Sequence, residues 1–530
     1  MDRSRPLDLV RALGLALVLG LAWTVRDRAN LSALALPDTD DVMRLVQIRD
    51  WLAGQAWRDL TQHRLADGLP IHWTRLGDLG PAALIGALAP WLGRHAAEVA
   101  AVTAWPLLLF ALALFLVQRI ARVVGGPALA GIAAVIAAIA YPATTVFAPG
   151  RIDHHGLQLV LLLAGLLALL GPATLGRGAW QGAVAATGFI VGLETAPLVL
   201  TMAATLLWRW SRAEQGARAR LAGLVLGAGA GLIVARVVFA PTLWVQPWCD
   251  GLTAQAWHAA AAGIGGAALL LLVPESASRR TRTVLAAASL VGMALFAALA
   301  TPGCLAPYGG VDPVLATRWL AHVGEAQSIR SAPLPTSFAY LGVAAAGLLT
   351  GVRRFHRDRH EGWGVLLLVQ AVAVVIACVQ LRGAYPAALL AAPVLASVVV
   401  AARDRGAIRL ALAWTASAGM LYPIAAQAMT PPTSPAGPAP TACALPPGLA
   451  RLPRGVVLAP IDLGPRILLD TPHGIVAAPY HRNNAGNLAA LRYGQDADTD
   501  AAIARAWGVR YVLTCPATAG APALLKALPR

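Results

Sequence analysis

At 530 residues, 58% hydrophobic and only 13% charged, with a mean hydropathy of +0.63, the chain excludes an ordinary soluble domain. Apolar runs of about 18 or more residues recur between short arginine-rich loops, which is the pattern of a polytopic helical membrane protein. The net charge of +16 rests on 42 basic residues, of which Lys526 is the one lysine. Spread over many loops, they fit the positive-inside rule and anionic headgroups rather than a nucleic-acid face. Heavy Arg, Ala and Gly usage with almost no Lys also fits a GC-rich bacterial genome.

Residues 1–23 lack a small-residue cleavage site and are expected to form an uncleaved first helix over 8–25. Arg3–Arg11 precede it, which places the N-terminus in the cytoplasm. Asp38, Asp40 and Asp41 then follow where that helix emerges into water. A polar segment, 26–79, is expected to be an ordered external loop, 80–92 a membrane-surface helix, and 99–117 and 128–147 two spans. The second of these presents Gly150-Arg151-Ile152-Asp153-His154-His155 on the same side as the first acidic knot.

Further spans are expected at 156–170, 221–241, 256–273, 283–300, 337–351, 363–381, 385–402 and 408–428. The stretch 180–208 has basic residues at both ends and Glu194-Thr195-Ala196-Pro197 in its middle, so it is expected to form two short helices meeting outside. A carboxylate at such a break belongs to a cavity lining. The count comes to about 13 crossings. Residues 431–447 are a Pro-rich linker, and 448–530 a small external α/β domain. In that domain 455–460, 467–470, 474–478 and 510–514 are expected strands, and 487–493 and 499–507 expected helices. Cysteines 249, 304, 443 and 515 fall on the external side; pairing as 249–304 and 443–515 or four free thiols are both open on spacing alone.

Clustered carboxylates hold hard divalent cations or deprotonate an acceptor, although Asp38 also suits a helix N-cap for a pattern running from Val42 to Leu52. Asp153 with His154 and His155 suits metal binding or acid–base work, or an interfacial cap. The loop 301–336, long for a membrane protein, carries Glu325, and Arg382 stands at the outer end of a span where a lipid phosphate would lie.

This arrangement resembles the GT-C glycosyltransferases, and most closely the catalytic subunit of oligosaccharyltransferases. Asp38-Thr39-Asp40-Asp41-Val42-Met43-Arg44 looks like that family's first acidic motif, and His72-Trp73-Thr74-Arg75-Leu76-Gly77-Asp78 like the rest of its first loop. Arg151-Ile152-Asp153-His154-His155 is similar to its second motif, Asp-x-Glu, with His155 in place of the glutamate. The acceptor-reading Trp-Trp-Asp motif is absent; the C-terminal region offers Tyr480-His481-Arg482-Asn483-Asn484. The resemblance implies an all-α polytopic membrane protein of about 13 helices with the small C-terminal α/β domain outside the cytoplasm. It implies an inner-membrane transferase of a sugar from a polyprenyl phosphate or pyrophosphate to a periplasmic glycan, lipid or protein acceptor. Asp38, Asp40, Asp41 and Asp153 would be catalytic; Asp38, Asp153, His155 and Glu325 would hold Mn²⁺ or Mg²⁺. Arg382 and Arg151 would bind the donor phosphate, while Arg44, His72, Trp73, Arg75, Glu194, His481 and Arg482 would face the acceptor or substrate. The competing class is a flippase or exporter of lipid-linked glycans, and a third is a ligase or polymerase of surface glycans.

Overall fold

The computed structural model describes residues 4–246, 248–300, 310–430, 443–516 and 521–529. The chain is a helical bundle carrying a small sheet on one end. Helix α1 (Arg5–Arg26) is followed by a short α2 (Arg28–Ser32), α3 (Thr39–Leu52), α4 (Arg75–Leu92) and the long α5 (Arg94–Gly125). Between α3 and α4 a two-residue ladder pairs β1 (Thr61–Gln62) with β2 (Leu69–Pro70). Helices α6 (Pro127–Ala138), α7 (His155–Leu170), α8 (Leu175–Val191), α9 (Ala196–Ser211) and α10 (Ala217–Val234) follow. Then come α11 (Ala254–Leu270), α12 (Arg279–Ala300), the short α13 (Pro313–Arg318), α14 (Leu334–Arg357), α15 (Glu361–Val379), α16 (Ala384–Ala402), α17 (Ala407–Ser417) and α18 (Leu421–Ala428).

Among the described residues seven helices are long and apolar enough to cross a membrane. The remaining expected spans are shorter or broken. The span expected over 128–147 stops at Ala138, because Pro142 removes a backbone donor and a 3₁₀ turn takes over at Ala143–Phe147. The one expected over 408–428 divides into α17 and α18, and 180–208 divides into α8 and α9 at Gly192–Thr195.

A pair of spacings that the sequence reading passed over sets the closest packing. Gly178 and Gly182 on α8 face Gly223 and Gly227 on α10, each pair four residues apart. A Cβ on Gly223 would fall 2.0 Å from the Leu175 carbonyl oxygen, and one on Gly182 2.3 Å from that of Leu224. The two backbones touch, as small residues at i and i+4 permit in apolar surroundings.

Arginines close the helix ends away from the sheet. Arg220 donates to the carbonyls of Ala168 and Gly171, and Arg209 to Leu169, so both cap the last turn of α7. Arg218 donates to Leu271 and Val273 beyond α11. At the same end Asp8, fully buried on α1, pairs with Arg122 at 2.6 Å and Arg119 at 3.3 Å.

The C-terminal region orders its sheet β4-β3-β5-β6: β3 (Val456–Leu458) lies parallel to β4 (Gly474–Ile475) and β5 (Val509–Thr514), and β6 (Leu524–Ala527) is antiparallel to β5. Helices α19 (Gly464–Asp470), α20 (Asn484–Arg492) and α21 (Ala497–Ala506) cover it. Residues 467–470, expected as a strand, are helical: Pro465 sits in the first turn, where its missing N–H costs nothing. Cys443 and Cys515 are joined by a disulfide; Cys304 and most of the 431–447 linker lie outside the described residues. The region does not stand alone. One apolar core runs through Val46, Ile48, Leu65 and Trp73 of the segment after α1 into Val457, Ile467, Ile475 and Tyr511.

The α8–α10 contact yields a paired test. Gly227→Leu or Gly182→Leu overpacks a backbone contact and costs about 1–3 kcal/mol or more. Gly229→Ala, with nothing near its Cβ, costs nothing measurable. Thermal unfolding of the detergent-purified protein separates the two.

Candidate active site

The loops after α1 and α6 meet through one carboxylate. Asp41, fully buried in the first turn of α3, accepts the backbone N–H groups of Ile152 (2.7 Å) and Asp153 (2.8 Å) on Oδ1. Arg151 then reaches across the joint, to Asp38 at 2.8 Å, Asp153 at 3.2 Å and Asp41 at 3.4 Å. Asp38 is indeed the N-cap of α3, accepting the Asp40 N–H at 3.1 Å in extended backbone, so cap and ion pair use the same side chain. The Asp40 carboxylate takes no hydrogen bond among the described residues.

The third contribution comes from the loop before α14. Glu325 lies 3.9 Å from His155 Nε2 and 3.5 Å from Arg382, and accepts from the Tyr385 hydroxyl at 3.0 Å. His155 Nε2 stands 3.9 Å from Asp153 as well, so this nitrogen looks between two carboxylates. His154 is engaged on both sides, by Glu194 at 2.9 Å and the Arg44 guanidinium at 3.2 Å. Glu194, at the α8–α9 break as expected, also accepts from Gln158.

Negative charge exceeds positive here. Burial first, then Asp38, Asp153, Glu325 and Asp41, push the half-buried Asp40 carboxyl well above the usual range. Burial together with Asp153 and Asp38, against the pull of Arg151, pushes Asp41 up to about 8. Burial opposes ionisation of Asp153 too, but His155, Arg151 and His154 outweigh it and hold its carboxyl low. Potential ligand atoms of Asp153, His154 and His155 lie within 4.8 Å of one another, and Asp41 Oδ2 is the one carboxylate oxygen buried without a hydrogen bond among the described residues. The donor set therefore fits a divalent ion.

Other expected site residues have different work. Arg44 and Arg75, expected to face substrate, are fully buried around Asp78: Arg44 at 2.7 Å, Arg75 at 3.3 Å. Arg44 also stacks 4.7 Å over the buried Trp73 ring. Two guanidinium groups thus share one carboxylate with no open surface, and Arg44, Trp73 and Arg75 hold the segment after α1 in shape. His481 and Arg482 do reach down from the C-terminal region, but to Asp250, which His481 Nε2 approaches at 2.5 Å and Arg482 pairs with through both oxygens. Arg482 lies 4.0 Å over Trp248, and His72 stacks on Tyr480 with centroids 5.5 Å apart. Asp250 was not anticipated, although it is the single acidic residue between Glu214 and Glu275. Burial works against ionising it, yet His72, His481 and Arg482 hold its carboxyl far below the usual carboxylate range.

No model of a known protein family matches this sequence, and no curated protein matches it either. Solved structures do. The archaeal oligosaccharyltransferase AglB of Archaeoglobus fulgidus, in complex with an inhibitory peptide and a dolichol-phosphate, superposes with a TM-score of 0.65 at 14% identity, covering 95% of this chain and 69% of that one. The apo oligosaccharyltransferase of the same organism gives 0.63 at 15% identity, covering 97% and 70%. Its complex with Zn and sulfate gives 0.62 at 15%, covering 94% and 67%. The chain has the oligosaccharyltransferase fold, of the GT-C type.

Within that fold two side chains offer stability tests. Asp78→Ala strands two buried guanidinium groups and costs about 3–5 kcal/mol, read as a drop in thermal midpoint. Asp250→Asn weakens the hold on the C-terminal region by about 1–3 kcal/mol and speeds its release by limited proteolysis. Because the Asp250 carboxyl sits below its unfolded value of about 3.9, the wild-type contact persists as pH falls to about 4 and is lost only below that.

Proposed function

We propose that the chain is an integral membrane glycosyltransferase that moves a sugar or oligosaccharide from a polyprenyl phosphate or pyrophosphate to an acceptor. The observation that supports this most is the convergence of three distant segments at one end of the bundle, Asp38–Asp41, Arg151–His155 and Glu325 with Arg382. In the topology read from the sequence this end is periplasmic and the N-terminus lies in the cytoplasm of a bacterial inner membrane.

In the proposed reaction an oxygen or nitrogen of the acceptor attacks the anomeric carbon. The bond from that carbon to the phosphate oxygen breaks, its electron pair leaves with the phosphate, and the acceptor proton passes to a carboxylate. Asp40 suits that last role, since Asp38 and Asp41 are engaged by Arg151 and backbone amides while Asp40 is not. In this reading Arg151 and Arg382, beside Asp153 and Glu325, stabilise the departing phosphate, the step at which positioned charge has most effect. Asp153, His155 and Glu325 would hold a divalent cation, Mn²⁺ or Mg²⁺, which when bound neutralises phosphate charge. Asp38, first in line for that set from the sequence, is engaged by Arg151 and its own helix. Glu194 and His72 flank His154 and are the remaining candidates for contact with the acceptor or sugar.

The experiment is turnover of a radiolabelled polyprenyl-phosphate sugar by the purified protein in nanodiscs, with Mn²⁺ and with EDTA. Release that needs Mn²⁺ and falls about 100-fold or more in Asp40→Ala and Asp153→Ala, with folding intact, is expected. Undiminished turnover in either variant removes the assignment, and no release from any lipid-linked donor favours the flippase.

A further inference from the structure

The cation set proposed above takes one of its members from a loop. Glu325 sits in a single 3₁₀ turn, Gly324–Ala326, in which no residue is buried. Such a turn has little packing of its own with which to fix a carboxylate. What fixes it lies at the junction of α15 and α16. The last turn of α15 leaves carbonyls without helical partners, and that of Cys378 accepts the Ile329 N–H at 3.1 Å. In the other direction the buried Leu381 N–H donates to the Gln327 carbonyl at 2.9 Å. Two main-chain bonds therefore fasten the loop just past Glu325. Gly383 keeps the junction tight, since a Cβ there would fall 2.4 Å from the Ala377 amide nitrogen.

Tyr385, in the first turn of α16, adds the third fastening. A buried phenol needs a partner for its hydroxyl, and this one donates to Glu325 Oε2 at 3.0 Å. The other carboxylate oxygen, Oε1, faces His155 Nε2 at 3.9 Å and Arg382 at 3.5 Å. Both separations exceed an ordinary hydrogen bond, so the short contact of Glu325 is the one to the tyrosine. The ring itself has little freedom. Its centroid lies 6.1 Å from that of His155 and 6.5 Å from that of Tyr340 on α14, and Tyr141 packs edge-on against Tyr340 at 5.6 Å. Its helix is the best-packed span, with 83% of the apolar window buried.

We propose that Tyr385 is a positioning residue for the cation site. Its hydroxyl pins one oxygen of Glu325 to the rigid start of α16, which presents the other to His155, and the affinity for a divalent cation depends on that hydroxyl. The proposal rests on the cation set put forward above and assigns the precision of its loop-borne member to a residue that no motif of the sequence pointed to. A hydrogen bond to a ligand carboxylate commonly has this effect, because it removes the rotamer freedom that binding would otherwise have to freeze.

The test is a Mn²⁺ titration read by electron paramagnetic resonance, on the full chain in phosphatidylcholine nanodiscs with neither donor nor acceptor present. Tyr385→Phe keeps the ring between His155 and Tyr340 and is expected to weaken Mn²⁺ binding about 10-fold or more. Glu325→Gln is expected to weaken it at least as much. The double variant is expected to bind no more weakly than Glu325→Gln alone, since Tyr385 acts through that carboxylate. A general loosening of the helix junction would instead multiply the two losses, and that outcome overturns the inference. So does an unchanged Mn²⁺ affinity in Tyr385→Phe. A wild-type chain that binds no Mn²⁺ removes the cation set itself, and this inference falls with it; the two failures are thus told apart by the wild-type titration.

Discussion

The structure depends on the joint between Asp41 and the segment Arg151–Asp153. A carboxylate at the first turn of α3 accepts two successive amides from a loop more than a hundred residues away, and the guanidinium between them binds both sides. Helix α3 contributes its own N-terminal dipole to the anions gathered there. Without that joint the loops after α1 and α6 have no reason to meet, and the acids they carry would be separate solvated caps. Arg151 is thus a fastener, and three carboxylates around it offset the desolvation cost of a buried ion group at this position.

Charge then shapes what the site can hold. Asp38, Asp40, Asp41, Asp153 and Glu325 face Arg151 and Arg382, and the imbalance falls on Asp40 and Asp41, which are driven towards protonation. A divalent cation resolves the same conflict without protons. His155 is suited to that role because its Nε2 looks at two carboxylates, whereas His154 is held between Glu194 and Arg44. The two neighbouring histidines are therefore not equivalent: one supports the other's surroundings.

Much of this was legible from residue spacing. Acids just past an apolar run, a second polar knot after another, and Glu194 at a proline-broken turn all identified positions that the fold brings together. What spacing could not show is direction. Arg44 and Arg75 look like exposed cations of a substrate loop, but burial of Asp78 draws both inward. The glycine pairs of α8 and α10 carry no charge or periodicity signal; only the missing Cβ, seen against the opposing carbonyls, reveals their purpose. Asp250 is a lone acid in an apolar stretch, and its partners lie more than two hundred residues on.

The basic residues show the same limit and also answer it. Composition assigns arginine in the loops to topology and to anionic lipid. Arg220, Arg209 and Arg218 instead donate to the last carbonyls of α7 and just beyond α11, groups that would otherwise end without partners near hydrocarbon. A guanidinium suits this task because its several N–H groups bind two carbonyls at once, which a lysine ammonium does less well. The nearly lysine-free composition thus has a structural use at the helix ends opposite the site.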